Sequence, residues 1–412
     1  MPANYGNLPF TKAIEYFRQK VNLPTERWTD IERGMHSRAF VAAGAQKSDL
    51  LIDLRASVDK AISQGTTLQT FRNEFDETVK KHGWNYKGSF GWRSKVIYET
   101  NLSVAYSAAR DAQMRDPDVL KAFPYWRYRH DPARKEPRPE HVAWDNLTLR
   151  ANDPWWDTHD PPKEYGCHCW KEVVSQEEFD AGTTGDTPTL KTQAPDDGTY
   201  EWTNPSTSQT RTIPNGVGPG WDYSPGKTAW GQQLSDDAME GWKKQGAAAW
   251  ERLTPGDAVS EGRPAEIPID ETVAKTSRVV NTEAELATMI RGVIGGEEKT
   301  FSYQRGNFTD VVHVNASTLA RHVDPARSEF VELLPELLAT PFEIWLSFEQ
   351  HKGTGQTVLR ERFIKGAKIG KEGYLMVCQA NRGLMESWTF LPARNLAYLQ
   401  KQRVGRLIWK RE

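Results

Sequence analysis

The chain has 412 residues and a formal net charge of −2, and at about 150 residues per domain it holds two or three domains. Apolar residues make up 38% and mean hydropathy is −0.69. No run approaches the ~20 apolar residues that a membrane helix needs, so no membrane partner is expected. The charge balance excludes a generally basic nucleic-acid coat, 16 Trp exclude a disordered chain, and three Cys exclude a disulfide scaffold and fit a reducing cytoplasm. The run from Met1 to Phe17 lacks a charged-then-apolar pattern, so export by a signal peptide is not expected.

Residues 1–118 read as a helical domain. Ile14, Phe17 and Val21 recur at helical spacing, as do Leu51, Leu54, Val58 and Ile62 before a stop at Gly65. Thr66 or Thr67 then caps a helix carrying Leu68, Phe71, Phe75 and Val79. A further long amphipathic segment runs through SKVIYETNLSVAYSAARDAQM.

Residues 119–181 change character. They are rich in Pro, Trp, His and charge, and their Pro–Pro and Asp–Pro steps favour turns over long helices. Such a segment cannot bury a large aliphatic core, so its Trp residues, a metal or a partner must order it. Cys167 and Cys169 stand two apart, which in extended chain puts both thiols on one face and His168 on the other. A thiolate pair at this spacing can supply two tetrahedral zinc ligands. His141 is the best third ligand, with His130, Asp131 and His159 competing for the fourth place. Structural zinc is thus the one cofactor expected, because zinc binding supplies folding free energy to a segment of this kind. The competing reading is two reduced, buried thiols beside hydrogen-bonded histidines.

Residues 182–270 read as a polar, Pro- and Gly-rich connector interrupted by a short helix around Ala238–Leu253. Residues 271–412 recover globular patterning. Thr282 and Glu285 make a capping box for a helix that Gly295-Gly296 ends. KTFSYQR and DVVHV look like strands, and SEFVELLPELLA is helical with a kink at Pro335. FEIWLSF alternates, with Phe342, Ile344, Leu346 and Phe348 on one face. TVLRERFIKGAK, EGYLMVCQA with Cys378 as a small core residue, and ESWTFL add three strands, and NLAYLQKQR closes as a helix. The fold class is α+β: a helical N-terminal domain with a small α+β module rich in Trp, Pro, His and Cys, a long connector, and a C-terminal α+β domain with an antiparallel sheet.

Several unusual words occur in order. They are Arg129-His130-Asp131, Arg134, Arg138-Pro139, His141 and Trp144, then Asp153-Pro154-Trp155-Trp156, Pro161-Pro162, Tyr165-Gly166 and Cys167-His168-Cys169. Upstream stand Glu99-Thr100-Asn101, Ala105-Tyr106 and Ala109-Arg110, and downstream runs Gly218-Pro219-Gly220-Trp221-Asp222-Tyr223-Ser224-Pro225-Gly226. Over roughly residues 10–230 the chain resembles the phage Mu F-like head morphogenesis family of minor head proteins. His168 stands where that family commonly has Arg between the cysteines. The resemblance implies a head protein in few copies near the portal, with portal and major capsid or scaffold proteins as partners. It also implies a place in the procapsid and virion after synthesis in the host cytoplasm.

Cleavage of RNA by internal transfer needs a base for the 2′-hydroxyl proton, an acid for the leaving oxygen and cations for the phosphate. In the last domain His322 sits just before a helix, with Arg327 five residues on. Arg360 and Arg362 alternate on one strand and share a face, as do Ser387 and Thr389 on another. The basic tail Lys401–Arg411 could steer a polyanion, RNA or DNA. The words His322-Val323, Arg327, Phe330, Pro341-Phe342-Glu343-Ile344-Trp345, Arg362-Phe363-Ile364 and Trp388-Thr389-Phe390 resemble the phage-associated barnase–EndoU–colicin–RelE-like nuclease domains over about residues 275–412. That resemblance implies His322 as acid/base, Arg362 as the phosphate-binding cation and Thr389 as a hydrogen-bonding group to substrate, with Arg327 beside them and Glu343 as a second acid/base. It implies a metal-independent ribonuclease. Three functional readings follow: a minor head protein carrying a nuclease, an assembly protein whose last domain is an inactive binding module, and a free toxin with a head-type module.

Overall fold

The computed structural model describes residues 10–133, 136–182, 190–272, 275, 277–306, 308–368, 373–381, 384–393 and 396–411. In the strands between 373 and 393 only a few side chains, such as Gln379, Ser387 and Thr389, are described. Arg134 and the side chains of Cys378 and Trp388 lie outside the described residues. The chain forms two compact units: one holds the chain up to Arg18, Asn22–Gln245 and Lys352–Thr357, the other Gln19–Val21, Gly246–His351 and the chain from Val358.

The first unit begins with α1 (Thr11–Arg18), the two-residue strands β1 (Val21–Asn22) and β2 (Ala39–Phe40), and the helices α2 (Ser48–Gln64), α3 (Leu68–His82), α4 (Phe90–Met114) and α5 (Pro117–Ala122). The expected α2 stripe of Leu51, Leu54, Val58 and Ile62 is buried, and Gly65 ends the helix at φ +69°. Thr67 is the cap of α3, its hydroxyl accepting from the Thr70 N–H at 3.2 Å. On α3 only Phe71 and Phe75 of the expected stripe are fully buried, with Leu68 and Val79 at the rim. Ala105, Ala108 and Ala109 on α4 are fully buried, small side chains that let neighbouring backbone approach closely.

The Trp-rich segment folds as β3 (Tyr125–Arg129), α6 (Pro139–Ala143), β4 (Thr148–Arg150), α7 (Trp156–His159), β5 (Trp170–Val174) and α8 (Gln176–Ala181). The strands pair antiparallel in the order β4-β3-β5, with Trp126 opposite both Leu149 and Val173. Its core is aromatic: Trp126, Trp144, Trp156 and Tyr128 are buried, and the rings of Trp144, Trp155 and Trp156 meet edge-to-face at 5.0–5.7 Å. Large rings replace the missing aliphatic side chains.

Of residues 182–270, expected as a connector, the described stretch 190–270 is built into both units. The hairpin of β6 (Thr199–Thr203) and β7 (Thr210–Pro214), α9 (Pro225–Trp230) and α10 (Asp236–Gln245) belong to the first, and β8 (Trp250–Arg252) and β9 (Ile269–Asp270) to the second. Polar composition concealed this because the buried apolar residues, such as Leu190, Ile213, Val217, Trp221 and Ile267, are scattered singly without helical or strand periodicity. The short helix around Ala238–Leu253 stops at Gln245, and its expected end is a 3-10 turn followed by β8.

The second unit continues with α11 (Glu283–Ile294), β10 (Glu298–Arg305), β11 (Phe308–Asn315), α12 (Ala316–His322) and α13 (Leu334–Ala339). Then come β12 (Glu343–His351), β13 (Thr357–Ala367), β14 (Gly373–Asn381), β15 (Leu384–Ala393), α14 (Leu396–Gln400) and β16 (Arg406–Lys410). Thr282 and Glu285 form the reciprocal capping box, and Gly295 closes α11 at φ +83°. Pro335 kinks no helix: a 3-10 helix, Pro325–Leu333, ends there and α13 begins, with Pro in its first turn where a missing N–H costs nothing. The sheet has the order β10-β11-β15-β14-β13-β12-β16, with β8 added to β12 and β9 to β13. It is α+β with antiparallel neighbours such as β13–β14 and β14–β15, but β11 runs parallel to β15 and β9 parallel to β13. The basic tail supplies β16, antiparallel to β12. FEIWLSF is buried on both faces: beside Phe342, Ile344, Leu346 and Phe348, the alternate residues Glu343, Trp345 and Ser347 are also buried.

Candidate metal centre and nuclease-like face

Cys167 and Cys169 close the loop before β5, His141 lies in α6, and His130 follows β3. The sheet pairing of β3 with β5 brings the ends of these segments together, since Arg129 stands opposite Trp170. His141 Nδ1 lies 3.6 Å from the sulfurs of both Cys167 and Cys169, and His130 Nδ1 lies 3.6 Å from Cys169 Sγ. His141, Cys167 and Cys169 form a group whose donor atoms all lie within 4.8 Å of one another and could hold a metal ion. The other two contenders point elsewhere. The ring of His159 stacks on Trp155 at 4.3 Å with Nδ1 3.1 Å from the Trp155 carbonyl, and Asp131 accepts from the Ala133 N–H at 2.9 Å. His168 faces outward, as the alternation requires, with Nε2 3.9 Å from Glu99.

The donor set is prepared for a cation. The Gly216 carbonyl stands 2.8 Å from His141 Nε2 and can only accept, so Nε2 carries the proton and Nδ1 presents its lone pair to the sulfurs. Hydrogen bonding from the Cys169 thiol holds the Cys167 thiol well below its usual range against the opposing effect of burial, while the same bond raises that of Cys169. Cysteine binds metal as thiolate, so an ion held here would displace the proton between the two sulfurs.

A strap at residues 216–226 clasps this knuckle. Lys163, fully buried between α7 and the cysteines, donates to the carbonyls of Thr158 at 3.1 Å and of Trp221 and Tyr223 at 2.6 Å. Burial pushes its pKa down to about 7. Ser224 Oγ donates to Asp160 at 2.6 Å, and Asp160 also pairs with Lys171 at 2.8 Å. Lys171 reaches Asp111 on α4 as well, and Asp111 accepts from Arg115 at 2.7 Å. Gly226 packs against this cluster so closely that a Cβ there would lie 2.2 Å from Asp111. Sequence reasoning marked the run Gly218–Gly226 without finding this role, because it is carried by main-chain carbonyls and by the absence of side chains.

In the second unit, His322 is the last residue of α12 and stands just ahead of the 3-10 helix Pro325–Leu333, its Nδ1 2.8 Å from the Thr318 carbonyl. Thr389 Oγ1 lies 3.5 Å from the His322 carbonyl, so these two residues come together. Arg327 lies in the 3-10 helix that follows and is half-buried. Val377 stands opposite both Arg362 and Thr389, which puts Arg362 and Thr389 in one row two strands apart, roughly 10 Å by backbone spacing. Arg362 is buried and committed to Ser347 and Glu349, and Arg360 bonds the same Glu349. Its cation is therefore neutralised within the fold.

Glu343 sits apart from that row. It is fully buried and accepts from Arg403 through two nitrogens and from Arg263, each at 2.7 Å, and from Trp345 at 2.8 Å. Burial alone would raise its carboxyl, but these donors hold it below the usual range. A carboxylate so enclosed fits a structural role better than that of an acid or base. The carboxylate on the arginine row is Glu349, which sequence reasoning missed; its position two residues from Ser347 on the face of Arg360 and Arg362 was the available signal.

Residues 53–171 match the family described as Phage Mu protein F like protein, and residues 293–410 match phage-Barnase-EndoU-ColicinE5/D-RelE like nuclease2. Protein F of Escherichia phage Mu, a protein named for capsid assembly, is 29% identical over 392 residues, covering 86% of this chain and 87% of that protein. The Mu-like prophage FluMu F protein of Haemophilus influenzae is 29% identical over 230 residues, covering 51% of this chain and 55% of that protein. No solved structure matches the chain. Among the described residues, no helix is long and apolar enough to cross a membrane. The chain thus carries a Mu F-like region that includes the cysteine knuckle, and behind it a region similar to the barnase–EndoU–colicin–RelE-like nucleases.

Proposed function

We propose that this chain is a minor head protein that acts in phage head assembly near the portal and carries a ribonuclease domain as its C-terminal passenger. The observation that carries the assembly reading is the likeness to protein F of phage Mu along 86% of the chain, which spans both units. Its partners are then the portal and the major capsid or scaffold proteins, and its place is the procapsid and virion. Mass spectrometry of purified particles tests this. The chain is expected there at low copy number, and its absence from particles that otherwise assemble would leave the free-toxin reading in its place.

The knuckle holds a structural zinc ion in this reading, with His130 as the fourth ligand beside His141, Cys167 and Cys169. A tetrahedral ion with Zn–S near 2.3 Å and Zn–N near 2.1 Å spaces its donors roughly 3.3–3.8 Å apart. The three N···S separations of 3.6 Å fall within that range. Metal analysis of purified protein is expected to give about one equivalent of zinc, falling below half in Cys167→Ser. Zinc content that is low in both proteins would refute the assignment.

At the C-terminal domain, His322 moves the proton, Thr389 positions substrate and Arg327 meets the phosphate, while Arg362, held by Ser347 and Glu349, shares the row of Thr389 without offering a free cation. The approach of Thr389 to His322 and the row shared by Thr389 and Arg362 support this grouping. His322→Ala is expected to abolish RNA cleavage by the full chain while leaving its melting temperature unchanged. Absence of cleavage by the folded wild-type chain on both RNA and DNA would favour the inactive binding module instead.

A further inference from the structure

The family words on α4 remain without a role in either reading. Tyr106 and Arg110, with Ser103 and Ser107, stand at i, i+3, i+4 and i+7 and so form one face of the helix. That face lines a cavity of about 260 Å³ closed on the other side by Pro162 and the segment from Cys167 to Lys171. Its serine hydroxyls and its lysine are committed. Ser103 Oγ donates to the Thr100 carbonyl at 3.2 Å, Ser107 Oγ to the Pro161 carbonyl, and Lys171 to Asp111 and Asp160. Arg110 is different. It is half-buried, and Asp160 and Glu172 act on it only through space, being bonded to Ser224 and Lys171 and to Arg127 respectively.

We propose that this cavity binds the side-chain carboxylate of a glutamate presented by a protein partner, with the Arg110 guanidinium as its anchor. A single planar fork matches the two oxygens of a carboxylate. The rings of Tyr106 and Trp170 and the Pro162 ring supply apolar wall for a short aliphatic arm. A phosphate would present three or more oxygens to a pocket whose serine hydroxyls and lysine are already engaged. The site lies beside the cysteine knuckle but uses none of its ligand atoms, and it stands or falls independently of the assembly and nuclease readings.

The test is an NMR titration of the full chain labelled with ¹⁵N-tryptophan, read at the indole N–H of Trp170 and assigned with Trp170→Phe. The probes are butyrate, which reproduces a glutamate side chain, its neutral isostere butyramide, and inorganic phosphate. Butyrate is expected to give a saturable shift, butyramide and phosphate at least tenfold weaker binding, and Arg110→Gln no saturable response. Arg110→Lys, which keeps the charge but loses the fork, is expected to bind several-fold more weakly and serves if Arg110→Gln does not fold. An unchanged butyrate response in either folded variant, no response in the wild type, or phosphate binding as tightly as butyrate would overturn the proposal.

Discussion

Glu343→Gln separates a structural carboxylate from a catalytic one. The native side chain is fully buried and receives four hydrogen bonds of 2.7–2.8 Å, three of them from the guanidinium groups of Arg403 and Arg263. Arg403 is itself fully buried, so the neutral amide leaves its charge without a counterion and turns an N–H₂ toward donors. Removing one partner of a buried pair costs about 3–5 kcal/mol, whereas exchanging both for apolar groups is often neutral. Urea unfolding is therefore expected to show a loss of about 3–5 kcal/mol in Glu343→Gln and most of it recovered in Glu343→Met with Arg403→Met. The pH dependence has a definite sign. Because the folded carboxyl lies below its unfolded value, its contribution is complete above the unfolded pKa of about 4.3 and is lost as pH falls through the lower folded value. The variant should accordingly lose less stability than the wild type on acidification below about pH 4. A loss under about 1 kcal/mol together with abolished RNA cleavage would refute this reasoning and return Glu343 to the chemistry.

Three further outcomes are expected. Gly226→Ala places a methyl 2.2 Å from Asp111 and must push apart the buried Asp111–Lys171–Asp160 cluster, so the first unit should lose several kcal/mol, read from its thermal transition. Thr282→Ala removes the hydroxyl that accepts from the Glu285 backbone N–H and should cost about 1 kcal/mol in denaturant unfolding. With zinc in the knuckle as proposed, chelation should lower the melting temperature of the first unit, and adding zinc back should restore it with release of protons, because cysteine binds metal as thiolate.

The sequence was most informative where one residue type has one physical use. Gly65 and Gly295 end helices in the left-handed region, and Thr67 and Thr282 begin them, because side chains at those positions satisfy or spare particular backbone groups. The two thiols and two imidazoles were also legible as a group, although their order along the chain left three residues contending for the last place. Residues 182–270 were not legible. Their contribution is made by main-chain carbonyls such as those of Gly216, Trp221 and Tyr223, and a carbonyl has no letter in the sequence. The arginine row in β13 was legible as a shared face but not as a neutralised one, because the partner carboxylate at Glu349 lies on a strand whose apolar alternation drew attention to the opposite side.

The strap at 216–226 gives synthesis a direction. A nascent chain that has emerged only through Trp170 has made every sulfur and imidazole of the knuckle, yet His141 Nε2 lacks its acceptor and the ammonium of Lys163 two of its three. About fifty more residues must clear the ribosome before that ammonium can be sealed away from water. A gene fragment cut at the edge of the recognised domain would yield a knuckle ajar, with its tightest lysine still hydrated.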